Sequence, residues 1–299
     1  MKLYLQLTCL LIILFCLTSN VCAAKEKITI LIVSRQLSPY MAVVHEIKTG
    51  IDAVCYEYNL NGDKRNIQKI IYEILSKQPD IIVAIGSEAA ESVSGNTKDI
   101  PTIFTMVLNP YILKLNMSGV AMDVSPRAQM QALRKILPDA KKIGVIYNPK
   151  VSASLIAAAK KEGISLVASP VSSVSQIMSA LEKMLNQQID AFWLIPDPIV
   201  ASQSISRYIL ETTLKANVPV MAPSPAFVKN GALFSVSAGY DRIGKQTVRL
   251  IQRILTDGMH EVYIEEPAEL LLTINLKTAE LLNIVIPDDV RNSADEVVN

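Results

Sequence analysis

Lys142-Ile-Gly-Val-Ile-Tyr-Asn-Pro149 is a short apolar run that stops on a polar residue and a proline. A helix-length amphipathic segment, Ala153–Glu162, follows it, and then a second apolar run, Ser165–Ala168. Strands rich in Ile and Val, each followed by a helix, imply parallel βαβ units with both sheet faces covered. The same alternation continues outward in both directions. Candidate strands upstream are Ile28–Val33, Ala53–Tyr58, Ile81–Ile85 and Thr102–Met106; downstream they are Ala191–Ile195, Pro219–Met221 and Ala232–Val236. Between them, Asn66–Ser76, Arg127–Leu137, Ser175–Asn186, Ser202–Ala216 and Ile243–Leu255 repeat apolar residues at three- and four-residue steps. Ile243, Val248, Ile251 and Leu255 form one such stripe. One series of strands ends near Met106 and another begins at Lys142, with no low-complexity linker between them. The expected fold class is α/β: two doubly wound parallel-sheet lobes with a ligand cleft between them.

Open parallel sheets bind ligands beyond the carboxyl ends of their strands. In this chain those ends lead to Ser34-Arg35-Gln36, Gly86-Ser87-Glu88, Asn109-Pro110, Asn148-Pro149, Pro196-Asp197-Pro198, Pro223-Ser224 and Gly239-Tyr240-Asp241. Polar tips beside Gly and Pro suit hydrogen bonding to a small polar ligand. Several would open helices, whose free N–H groups can hold a carboxylate or phosphate. Taken singly, each Asn, Asp or Ser reads equally well as a cap or turn residue.

The chain begins with a cationic start (Met1, Lys2), an apolar run from Leu3 to Leu17, and small residues up to Ala24 before Lys25-Glu26-Lys27. That order is the order of a secretory signal peptide, expected over residues 1–24. The apolar core is shorter than the roughly 20 residues a membrane span needs, which favours cleavage over an anchor. A lipid anchor would want a small residue before its cysteine, and Val21 precedes Cys22 while Phe15 precedes Cys16. Cleavage after Ala24 removes Cys9, Cys16 and Cys22 and leaves Cys55 alone, so no internal disulfide or CxxC site is expected. Lys2 is the one charge lost from 29 basic and 28 acidic residues, and the mature chain is formally neutral. A neutral chain with few aromatics offers no electrostatic basis for nucleic-acid binding.

Motifs for catalysis are weak. Gly239-Tyr-Asp-Arg-Ile-Gly-Lys245 has the spacing of a phosphate loop, but Gln246 stands where Ser or Thr should hold magnesium. Gly239 then serves a turn and Lys245 a solvated helix face. Gly86-Ser87-Glu88 lacks the nucleophile-elbow pattern, and His45 and His260, far apart, are expected at the surface. Glu88 and Glu91 share a helix face, where early acids complement the helix dipole. No enzyme, metal or cofactor is expected.

Lys142-Ile-Gly-Val-Ile-Tyr-Asn-Pro149, Ile195-Pro-Asp-Pro198, Gly231-Ala-Leu-Phe234 and Ile274-Asn-Leu-Lys-Thr-Ala279 occur in the order seen in one protein group. Pro101-Thr-Ile-Phe-Thr-Met-Val-Leu-Asn-Pro110, Ser118-Gly-Val-Ala-Met-Asp-Val-Ser-Pro126 and Gly239-Tyr-Asp-Arg-Ile-Gly244 extend the match. The chain thus resembles the substrate-binding proteins of ABC importers, in the group that includes the tryptophan-binding TrpX type, from about Ile28 to Pro287. The resemblance implies a type I periplasmic-binding-protein fold with three crossovers. Lobe 1 would be 25–139 plus about 239–260, and lobe 2 would be 140–238 plus about 261–299. Carried over by position, ligand contacts would come from Ser87, Asn109, Asn148, Asp197, Ser224 and Tyr240. Asp197 would meet an ammonium group, Ser87 and the adjoining helix start a carboxylate, and Tyr240 would stack on or hydrogen-bond the solute. The first loop, Ser34-Arg-Gln-Leu-Ser-Pro-Tyr40, departs from the histidine-proline pair usual in the TrpX branch. The resemblance therefore implies a small polar solute, an amino acid or related compound, without a particular side chain. The expected function is an exported, monomeric, periplasmic solute-binding protein that delivers its ligand to an ABC permease in the inner membrane. The alternatives are a solute-sensing module that signals to a membrane partner without transport, and an exported hydrolase or isomerase.

Overall fold

The computed structural model describes residues 27–62, 67–97, 100–200, 202–258 and 261–299. The expected leader 1–24, Asn66 and His260 lie outside them. Two sheets organise the chain. The first contains β1 (Ile28–Val33), β2 (Val54–Asn59), β3 (Ile81–Ile85), β4 (Thr102–Val107), β5 (Gly119–Ala121) and, from far downstream, β11 (Ile264–Glu265). Its order is β11-β5-β4-β3-β1-β2, and every pairing is parallel. The second contains β6 (Lys142–Tyr147), β7 (Ser165–Pro170), β8 (Ala191–Trp193), β9 (Val220–Ala222), β10 (Phe234–Ala238), β12 (Leu270–Asn275) and β13 (Glu296–Val298). Its order is β13-β12-β10-β9-β8-β6-β7.

The apolar runs become strands because helices cover both of their faces. Every residue of β3 and β4 is buried, as continuous rather than alternating hydrophobicity predicts. One departure from an all-parallel pattern is β12, which runs antiparallel to β10. Two cores flank each sheet. In the first lobe, Val43, Val44 and Ile47 of the helix Ser38–Gly50 meet Ile243, Val248 and Ile251 of the helix Tyr240–Asp257 over Leu31, Val83 and Ile103. Of the stripe expected on the latter helix, Ile243, Val248 and Ile251 are buried there and Leu255 is half-buried against them. In the second lobe, Trp193, Phe234 and Ile274 pack with Met130, Leu133 and Ile136.

That last contact moves the expected lobe boundary. The helix Pro126–Ile136, placed with lobe 1 by the sequence reading, packs in the core of lobe 2, and its Gln129 Oε1 accepts the Trp193 Nε1–H at 2.7 Å. The first crossover is therefore residues 122–125. The third follows β11, because Ile264 and Glu265 still pair with β5 of the first sheet. The second is Gly239, between β10 and the helix Tyr240–Asp257. Arg242, just past it, spans the lobes: Nη1 donates to the Leu270 carbonyl at 2.8 Å and Nη2 to Asp295 Oδ1 at 2.7 Å. Gln246 on the same helix secures the third crossover through Glu265, the Glu266 carbonyl and the Ala268 N–H.

β5 is short, and a glycine admits it. A Cβ on Gly119 would stand 2.4 Å from the Phe104 carbonyl oxygen and 2.5 Å from the Phe104 ring. Backbone on one side and a fully buried ring on the other leave no cheap relief. Gly119→Ala is expected to destabilise the fold by about 1–3 kcal/mol, as overpacking does. Urea unfolding followed by circular dichroism checks this, and an unshifted midpoint would refute it.

Candidate ligand-binding site

In both sheets the first strand lies inside the second, so chain order reverses between β1 and β3 and between β6 and β8. Ligands favour such switch points, at the carboxyl ends of the strands. Four expected residues lie in this region of the two lobes: Ser87 after β3, Asn148 after β6, Asp197 after β8, and Ser224 one strand further on.

A cavity of about 230 Å³ opens between the lobes, offset toward the crossovers. Lobe 1 and the first crossover contribute Leu108, Asn109, Met122, Asp123 and Tyr240. From lobe 2 come Ser152 and Leu155 after β6, Pro196 after β8, Ser224 and Phe227 after β9, and Val236 and Ser237 on β10. Asn109, Ser224 and Tyr240 are thus brought together as expected positions, whereas Ser87, Asn148 and Asp197 do not line the cavity.

The three outside it have other employment. Asn148 caps the helix Pro149–Lys160, its Oδ1 accepting the Lys150 N–H at 3.1 Å. Ser87 opens the helix Ser87–Val93, next to Glu88, which binds Arg35 at 2.7 Å. Asp197 is fully buried, and its carboxylate accepts from the Asn148 N–H (2.8 Å), Ser152 Oγ (2.8 Å) and the Ile199 N–H (3.0 Å). An acid closed in by protein donors does not suit the expected ammonium contact; it ties the loop after β6 to the loop after β8. Lys245 bears out the solvated face, exposed beside Asp241 at 3.8 Å, and His45 is exposed as expected.

The acid that does reach the cavity is Asp123, in the first crossover. Burial pushes its pKa from an ordinary 3.8 up to about 6, with Glu266 adding to the rise. The N–H groups of Asn109, 2.7 Å from Oδ2, and of Asp123 itself pull the other way. Asn109 holds a left-handed backbone (φ 51°), a conformation that Asn visits more readily than most residues. Among the described residues no Lys, Arg or His lines the cavity. Two polar neighbours are already engaged: Gln129 donates from Nε2 to the Val124 carbonyl and accepts from Trp193, and Ser152 serves Asp197. Asn109, Asp123, Ser224, Ser237 and Tyr240 remain to meet a polar ligand, among apolar walls. Asp123 was missed because the three-residue strand before it carries too little sequence to register as a strand; its place after Met122 is visible only once β5 is.

Residues 45–298 match the family model described as ABC transporter substrate binding protein. The chain belongs to that family. A tyrosine-binding protein of Clostridioides difficile (strain R20291) is 27% identical over 243 residues, 76% of this chain and 69% of the relative. Two solved structures share the fold. A substrate binding protein with adhesive properties from Clostridium difficile, ligand-free and open, is 22% identical with a TM-score of 0.77, covering 91% of this chain and 99% of that one. An ABC domain from Streptococcus pneumonia in complex with L-Trp is 23% identical with a TM-score of 0.63, covering 91% and 100%. The two-lobed architecture is that of type I periplasmic binding proteins. No helix among the described residues is long and apolar enough to cross a membrane.

Proposed function

We propose that this substrate-binding protein captures an L-amino acid with a large apolar or aromatic side chain and delivers it to an ABC permease outside the cytosol. One observation carries the reading: an interlobe cavity with apolar walls whose sole carboxylate, Asp123, faces no lining cation among the described residues. A ligand ammonium supplies the missing charge, and burial strengthens that pairing relative to water. Met122, Leu155, Phe227 and Tyr240 offer surface for the side chain. An engineered cavity of ~150 Å³ takes a benzene ring, so 230 Å³ suits a ring carrying a short polar end. The tyrosine-binding relative and the L-Trp complex support the same ligand class.

Closure of the lobes about the three crossovers would bury the ligand and create the form a permease reads. In that closed form Ser87, which follows β3 at the switch point of lobe 1, would approach the ligand. The signal-peptide-like order of residues 1–24 in the sequence supports export. Calorimetry of the mature chain with L-tyrosine, L-tryptophan, L-phenylalanine and L-leucine tests the reading. At least one should bind with a thermal stabilisation that grows with concentration, about 2.7 kcal/mol at 100 times Kd. Silence across the panel would overturn it. Uptake of the cognate amino acid by cells lacking the chain tests transport, and unimpaired uptake would count against it.

A further inference from the structure

An amino acid brings a carboxylate as well as an ammonium, and among the described residues no lysine, arginine or histidine lines the cavity to receive it. Neutral donors must do so. Of the side chains lining the cavity, Gln129 and Ser152 have committed their groups within the protein. Asn109 lies against Asp123, whose negative charge would repel a carboxylate there. The wall from lobe 2 is different. Ser237 on β10 is 6% exposed, and its Oγ has no hydrogen-bond partner. Ser224 precedes the helix Pro225–Lys229 but makes no side-chain cap to it.

Both serines line the cavity at the carboxyl edge of the second sheet. β9 and β10 run parallel with Met221 opposite Phe234 and Ala222 opposite Ser235. Continuing that register past the strand end sets Ser224 level with Ser237. Thr29 and Ser235 also have unpartnered buried hydroxyls, but neither lines the cavity. What distinguishes the pair is position: two uncommitted O–H donors that line one cavity at the carboxyl edge of the second sheet. The Ser237 Oγ is itself buried, so it meets a ligand by changing between the staggered rotamers of χ1, which costs little.

Resting on the amino-acid reading above, we infer that the Ser224 and Ser237 hydroxyls together receive the ligand's carboxylate, while Asp123 takes its ammonium. The site then recognises a zwitterion with a single protein charge. Each hydroxyl would form a charge-assisted hydrogen bond, short and roughly twice as strong as a neutral one. The consequence is discrimination by the carboxylate: an amino acid is preferred over the amine made by removing it.

The probes are L-tyrosine with tyramine and L-tryptophan with tryptamine, titrated into the mature protein. The wild type should bind each amino acid at least about tenfold tighter than its amine, the scale of one hydrogen bond to a charged group. In the Ser224→Ala, Ser237→Ala double variant the amino acid should weaken by about tenfold to a hundredfold while amine binding stays put. Each single variant should close part of the gap, which keeps the question answerable if the double variant folds poorly. A double variant that keeps the wild-type ratio overturns the inference and leaves the amino-acid reading standing. A wild type that binds tyramine as tightly as L-tyrosine does the same. Failure of every amino acid and amine to bind overturns both.

Discussion

Asp123→Asn is expected to weaken amino-acid capture by about a hundredfold, ~3 kcal/mol, the cost of removing one partner from a buried hydrogen-bonded charge pair. Asn keeps the volume and can still accept from the Asn109 N–H, so the loss is that of charge rather than packing. The pH dependence provides an independent sign. With burial holding the pKa of Asp123 at about 6, the free protein carries the proton below that value and is ionised above it. Only the ionised form meets an ammonium, so affinity should rise as pH climbs through 6 and flatten above 7. At pH 5 about a tenth of the protein is ionised, and Kd should be about tenfold weaker than at pH 8. Without ligand the linkage runs the opposite way. A raised folded pKa means that the folded state binds more protons between the two values, so this group's contribution to stability is present below the unfolded pKa and is lost as pH rises through about 6. The Asn variant should be flat in both respects. Titration calorimetry from pH 5 to 8 decides: a wild type whose Kd ignores pH, or a variant that binds as tightly, would remove Asp123 from the site.

Most of the architecture was legible in the sequence because strands buried on both faces announce themselves. β1, β3 and β6 match the expected bounds, since an Ile- and Val-rich run has few other uses in an α/β lobe. What the pattern could not show were elements too short or too mixed to carry a period. β5 and β11 are three and two residues long, and β12 follows a loop and ends on Asn275. Those omissions had a consequence for function, because the first crossover and Asp123 follow β5 directly. The lobe assignment of Pro126–Ile136 failed for a related reason. An amphipathic helix shows which face is buried but not which sheet it covers, and Trp193 settles that through Gln129. Of the expected contacts, Asn109, Ser224 and Tyr240 reach the cavity. Position after a strand could not distinguish an acid open to the cleft from one enclosed by its own loops.

Asp197 supplies the test of that distinction. Asp197→Ala is expected to cost about 3–5 kcal/mol of stability, the scale seen when a buried charge network loses a partner. Three donors lose their acceptor at once: the Asn148 N–H, Ser152 Oγ and the Ile199 N–H. Each buried donor left unsatisfied costs about 1–3 kcal/mol, with some relief where water can enter. Neither chain neighbour can take over as acceptor through its side chain, because Pro196 and Pro198 flank the acid with apolar rings. Asp197→Asn should recover part of the loss, since one amide oxygen still accepts while the –NH₂ opposes a donor. The expected signature is a lowered thermal midpoint for both variants, larger for Ala. Ligand affinity, measured well below that midpoint, should change far less than for Asp123→Asn. Ser152 couples the two sites, because its hydroxyl serves Asp197 while its side chain lines the cavity. A full loss of binding with an unchanged midpoint would return the ammonium contact to Asp197 and displace Asp123.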